Sequence, residues 1–172
     1  MLTDCNFLFK KNFLKDRNHT RFLLKKYVFI DLLNFEKVLK NDLLKKINNI
    51  NIPFQDNLIL VNEVNNNTIY EINTNKIQDI FINFFNKEIS CFNVAQKSNI
   101  KKAKKNLNIS SKDILINRNK ALMLAKKINV NYLLYNSIYE KHKQLYMQLQ
   151  IIVVNSKEII LEDNMLIGKL EN

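Results

Sequence analysis

Glycine and proline are nearly absent from this chain of 172 residues, which holds only Gly168 and Pro53, and tryptophan is absent altogether. Collagen-like and flexible-linker sequences need far more of the first two, and phosphate-cradling loops need several closely spaced glycines. Two cysteines, Cys5 and Cys91, are too few for a disulfide scaffold and read as reduced thiols. No run of about 18 apolar residues occurs, because Asn and Lys interrupt each candidate. Between Met1 and Tyr27 no apolar core of roughly 7–15 residues stands where a secretory signal would place one. Arginine is scarce as well: Arg17, Arg21 and Arg118 stand beside 24 Lys, 29 Asn and 22 Ile. That bias points to an AT-rich genome. It weakens the formal net charge of +11 as a sign of nucleic-acid binding, since arginine makes the bidentate phosphate and guanine contacts.

What is present fits one globular domain with an extension, at roughly 100–200 residues per domain. The first 26 residues carry seven Lys/Arg against two Asp, so residues 1–27 are expected to form a disordered basic arm and 28–172 a single domain. From Asp31, a plausible N-cap, Leu32, Phe35, Leu39, Leu43 and Ile47 form one stripe of an amphipathic helix that ends before Pro53. Residues 57–64 read as a buried strand, and Asn65, Asn66, Asn67 and Thr68 as a turn. A helix capped by Thr74 follows, with Ile77, Ile80, Phe81, Phe84 and Phe85 at helical spacing. Residues 91–94 form a weak second strand. A helix from Ser98 turns Ile100, Ala103 and Leu107 inward, and another from about Asn117 to Ile128 has Ala121, Leu124, Ala125 and Ile128 on one face. Residues 131–139 and 145–154 read as a hairpin around Lys141, His142 and Lys143, and Asn155, Ser156 and Lys157 turn into a last strand at 158–161. The order α-β-α-β-α-α-β-β-β is an α/β (α+β) sandwich. Its mixed, largely antiparallel sheet has four to five strands and packs against about four helices.

Chemistry-bearing clusters are sparse. His19, His142, Cys5 and Cys91 are scattered, with no pair at i+3 or i+4 to hold a metal. Glu162 and Asp163 are adjacent, face opposite sides of a strand, and read as solvated surface. No serine stands in a nucleophile elbow and neither histidine has a partner carboxylate in sequence, so no enzyme, metal or cofactor is expected. Lys97, Lys101, Lys102, Lys104 and Lys105 could line a phosphate-binding stripe, but a helix on a sheet must expose one face and no aromatic interleaves to stack on bases. Tyr132, Tyr135, Tyr139 and Tyr146 on the hairpin are candidate anchors for a protein partner.

Taken together, the motifs resemble the LpoB family over about residues 30 to 162. Leu60, Val61, Val64, Asn65, Asn66 and Thr68 match the pattern L-V-x-x-V-N-N-x-T. Ala103, Lys104, Leu107, Ser110, Asp113, Leu115, Arg118, Lys120, Ala121 and Ala125 follow without gaps. Leu134, Tyr135 and Ser137, then Leu145, Met147, Gln148 and Leu149, and finally Glu158, Ile159 and Ile160 match the last strands. Asn108 stands where the family ends a helix in glycine, and asparagine also tolerates the left-handed conformation. Leu161 replaces a family tryptophan.

The resemblance implies a non-enzymatic regulator of peptidoglycan synthesis. Such a regulator binds the accessory domain of a bifunctional class A penicillin-binding protein and activates the enzyme, acting as a monomer on the periplasmic side of the outer membrane. It also implies a lipid-bearing cysteine behind a signal peptide. The segment Leu2, Thr3, Asp4, Cys5 makes Cys5 the candidate for lipidation, although Asp4 departs from the usual small residue and the Pro-rich tether of the family is replaced by a basic segment of about 25 residues without proline. The expected docking groups are exposed hairpin residues: Tyr135, Asn136, Ser137 and Gln148. Two other readings stand beside this one: a module that keeps the fold without activating, and a nucleic-acid binder using Lys97 to Lys105.

Overall fold

The computed structural model describes residues 28, 30–50, 52 and 57–170. The basic arm, Cys5 and Pro53 lie outside them. The stripe from Leu32 to Ile47 forms one continuous helical segment: α1 (Leu32–Val38), a π-helical stretch (Leu39–Leu43) and α2 (Leu44–Asn48). Asp31 caps it, its Oδ1 accepting from the backbone N–H of Leu33 and Asn34, each at 3.1 Å. The π stretch follows from the spacing of the stripe. Phe35, Leu39, Leu43 and Ile47 recur every four residues, and a pure α-helix would rotate each about 40° past the last. One wider turn keeps all four within 2% of full burial.

The remaining helices are α3 (Thr74–Glu88), α4 (Lys97–Asn106), α5 (Ser111–Ile116) and α6 (Arg118–Lys127). Asn73, not Thr74, caps α3, its Oδ1 accepting from Lys76 N–H at 3.1 Å. Helix α4 begins one residue before Ser98. The sequence reading missed α5, although a capping box announces it: Ser110 accepts from the Asp113 N–H while the Asp113 carboxylate accepts from the Ser110 N–H. Asn108, just past the end of α4, adopts φ 51°, the left-handed conformation expected of it.

The strands are β1 (Asn57–Val61), β2 (Asn65–Asn66), β3 (Phe92–Val94), β4 (Tyr132–Lys141), β5 (Gln144–Val153) and β6 (Ile159–Lys169). They form one sheet in the order β3-β1-β4-β5-β6, with β2 also paired to β4. The pairs β1·β3, β1·β4 and β2·β4 are parallel, and β4·β5 and β5·β6 antiparallel. The expected mixed α+β architecture is what the fold shows; among the described residues the sheet has six strands where four to five were expected, and it packs with five helical segments where about four were expected. The segment read as a turn at Asn65 and Asn66 is β2, which runs beside Ser137 and Ile138. Strand β6 reaches eight residues beyond Leu161, where the sequence reading ended it.

Each face of the sheet has its own core. On one, α1, α2 and α3 pack over Ile59, Leu134, Ile138, Met147, Leu149 and Ile151. Phe35 meets Phe81 edge-on at 5.5 Å, and further edge contacts run from Phe85 through Phe92 to Tyr132. On the other face, Ala103 of α4 and Ala121, Leu122, Leu124 and Ala125 of α6 cover Leu60, Leu133 and Ile152. Among the described residues the second layer stops there.

Candidate functional site

Because side chains alternate across a strand, the register fixes what occupies the uncovered half of the second face. Three rows cross β4, β5 and β6: Tyr135, Gln150 and Glu162; Ser137, Gln148 and Asn164; Tyr139, Tyr146 and Leu166. Asn65 of β2 extends the middle row beside Ser137. All are half-buried or exposed. The face is therefore an open array of hydroxyl, carboxamide and aromatic groups.

Its geometry is fixed by hydrogen bonds between rows. Gln148 Nε2 and Gln150 Nε2 both donate to Glu162 Oε1, at 2.8 and 3.1 Å. Arg118 Nη1 donates to Gln150 Oε1 at 3.4 Å, bringing the start of α6 to the edge of the face. Tyr139 stacks on Tyr146 with centroids 5.6 Å apart and donates to Asn164 Oδ1 at 3.2 Å. Tyr146 donates to Gln144 Oε1 at 2.6 Å. Tyr135 lies against the edge of the α4–α6 core, and that burial raises its phenol above the ordinary tyrosine value against the lowering effect of Arg118.

Three of the four expected docking residues, Tyr135, Ser137 and Gln148, thus share one face. Asn136 does not. It is 1% exposed and points to the opposite core, between Leu134 and Ile138, because every second residue of a strand turns away from its neighbour's side. Its Oδ1 and Nδ2 have no hydrogen-bond partner among the described residues. Tyr132 is likewise removed from the list of anchors, being 8% exposed and packed on Phe92 at 5.1 Å. Sequence reasoning passed over Gln150 and Asn164 and read Glu162 only as solvated surface; period-2 alternation in β5 and β6 was the available signal.

Glu162 and Asp163 do face opposite sides, but only Glu162 is solvated. Asp163 holds Lys46 Nζ of α2 at 2.6 Å, with its side chain 10% exposed. Cys91 is half-buried, and burial pushes its thiol up, away from the reactive thiolate. Among the described residues no three His, Cys, Asp or Glu side chains gather as a metal site, and no helix is long and apolar enough to cross a membrane.

The family model of the peptidoglycan-synthase activator LpoB matches residues 35–167, from α1 into β6. The chain belongs to the LpoB family. The penicillin-binding protein activator LpoB of Xenorhabdus nematophila is 31% identical over 104 residues, 60% of this chain and 53% of that protein. The one from Sodalis glossinidius is 30% identical over 107 residues, 62% and 55% of the two chains. The chain thus spans about half the length of the curated LpoB relatives it matches. The LpoB C-terminal domain from Salmonella enterica aligns with TM-score 0.64 and 26% identity, covering 74% of this chain and 93% of that one. The LpoB C-terminal domain from Escherichia coli shares the fold, with TM-score 0.66 at 22% identity over 79% and 99%.

Proposed function

We propose that this chain is a non-enzymatic activator of a bifunctional class A penicillin-binding protein, docking on its accessory domain through the open face of β4, β5 and β6. The observation that carries the reading is the sheet itself: a family of peptidoglycan-synthase activators matches 35–167, and among the described residues no helix covers the Tyr135, Ser137 and Tyr139 side of β4, β5 and β6. Tyrosine supplies large contact area at low entropic cost, and Tyr135, Tyr139 and Tyr146 flank the carboxamides of Gln148 and Gln150. Action on the periplasmic side of the outer membrane, as a monomer and with Cys5 as a lipid attachment point, completes the reading and follows from the resemblance.

Activation by docking is a population shift. The regulator must bind the active conformation of its target more tightly than the inactive one, by about 1.4 kcal/mol for each tenfold bias. Glu162, with Gln148 and Gln150 donating to it, presents a fixed acceptor rather than a mobile charge, which lowers the ordering cost of docking.

The test is a titration of the same organism's class A penicillin-binding protein with the full chain, reading affinity and glycan-polymerising rate. Tyr135→Ala and Gln148→Ala, each checked for a native circular-dichroism spectrum, should weaken binding about tenfold or more for the tyrosine and less for the amide. Unchanged affinity in both variants overturns the assignment of the face. Saturable binding without a raised rate overturns activation and leaves an interaction module.

A further inference from the structure

Within residues 28–172 the positive charge is gathered in one layer. Residues 97–127 hold nine Lys and Arg118 against Asp113 alone, a net +9, whereas 28–96 and 128–172 together hold ten cations against 13 acids, a net −3. Compositional drift towards lysine does not produce this. It would raise lysine on every exposed helix, yet nine fall in these 31 residues and ten in the other 114. The fold then places α4 and α6 on the same face of the sheet, with α5 packed against α6.

Three of these cations are engaged: Lys97 with Asp79, Lys104 with Glu63, and Lys120 with Asp113. Lys101, Lys102, Lys105, Lys112, Lys126 and Lys127 are exposed and make no ion pair among the described residues. Their positions follow from the helical period. Ile100, Ala103 and Leu107 turn α4 towards the sheet, so Lys101, Lys102 and Lys105 point directly away from it. In α6, with Ala121, Leu124 and Ala125 inward, the centre of the outer face is Met123, 54% exposed and flanked by Lys126 and Lys127.

We propose that the outer surface of α4, α5 and α6 lies on an anionic phospholipid bilayer, with the lysines at headgroup level and Met123 dipping towards the acyl boundary. Lysine clusters on helical surfaces with an apolar residue among them suit such a surface, each cation near it adding to attraction for anionic lipid. Nucleic acid fits less well: 97–127 contains no aromatic residue to stack on bases, and its one arginine, Arg118, is held by Gln150. A protein partner fits less well too, because protein interfaces are depleted in lysine and enriched in arginine and aromatics. Those features belong to the neighbouring open face instead. Lipid contact requires no penicillin-binding protein, so the two surfaces succeed or fail in separate assays.

The experiment is vesicle co-sedimentation of the full chain at low salt, comparing pure phosphatidylcholine with phosphatidylcholine containing phosphatidylglycerol. Binding should require the anionic lipid and fall steeply as salt rises. Neutralising the α4 face with K101Q, K102Q and K105Q should weaken it about 100-fold, at about fivefold per lysine. Met123→Asn should weaken it about fivefold. The control K37Q, K45Q and K76Q removes the same charge from α1, α2 and α3 and should change binding by no more than about threefold. Equal sedimentation with neutral vesicles overturns the proposal. So does an equal loss in the control, or binding of single-stranded nucleic acid by a chain that ignores both kinds of vesicle. All substituted lysines are exposed, and a native circular-dichroism spectrum for each variant ties any loss to the surface.

Discussion

Replacing Asn136 by leucine should stabilise the protein, an unusual expectation for a strand residue in the family's matched segment. Asn136 is 1% exposed among Leu134, Ile138 and Leu149, each at 0%, and neither end of its carboxamide has a partner among the described residues. A buried polar group left unpaired costs about 1–3 kcal/mol, and leucine has the same number of side-chain heavy atoms, so removing the amide leaves neither a void nor a clash. We expect a gain of about 2 kcal/mol, which for a chain of this size is a rise of about 4–8 °C in Tm. Urea unfolding followed by circular dichroism should show a higher midpoint at unchanged slope, while Asn136→Ala gains less because it opens a cavity. Affinity for the penicillin-binding protein should not change, since the side chain points away from the open face. An N136L protein less stable than its parent would refute the reasoning about the amide. A stable N136L protein that binds more weakly would refute the placement of the docking face.

The acid limb of stability should depend on Asp113. Lys120 at 2.8 Å, then the N–H and hydroxyl of Ser110, hold its carboxyl down to about 2, so the folded state favours the carboxylate. The contribution is complete above the ordinary carboxylate value and is lost as pH falls through that value towards about 2. Asp113→Asn should flatten stability over that interval, and an NMR titration of Asp113 centred near about 4 would contradict it. His142 and Lys143 both adopt left-handed backbone, at φ 51° and 58°, to make the two-residue turn between β4 and β5. The pair H142N and K143G supplies the residues such a turn favours and should raise stability by about 1–2 kcal/mol; a lower urea midpoint would contradict it.

Local elements were largely legible in the sequence because their causes are local. The Phe35, Leu39, Leu43, Ile47 stripe, the phenylalanines of α3 and the alternation of β4 and β5 each fix a face through their own period. The left-handed position of Asn108 follows from its place at a helix end. Family resemblance was legible for the same reason, since it rests on runs such as Val64, Asn65, Asn66 and on Leu134, Tyr135, Ser137. The missed strand and the missed strand extension are set by a pairing partner far away in sequence. Strand β2 has two residues and exists because β4 offers Ser137 and Ile138 for pairing, and β6 continues past Leu161 because β5 is there to receive it.

The candidate site shows the same division. Its residue types were readable, but exposure was not, because exposure depends on which distant segment covers each face. The register of β4 against β5 turned Asn136 into core and left Tyr135, Ser137 and Gln148 together. Lysine at 97–105 was visible as a run in the sequence, whereas its joining with Lys112, Lys126 and Lys127 required α4 and α6 to share a side of the sheet and α5 to pack on α6. Sequence determined what each element is made of and which way it faces. Only long-range packing determined which faces stayed open, since burial is a property of two surfaces in contact.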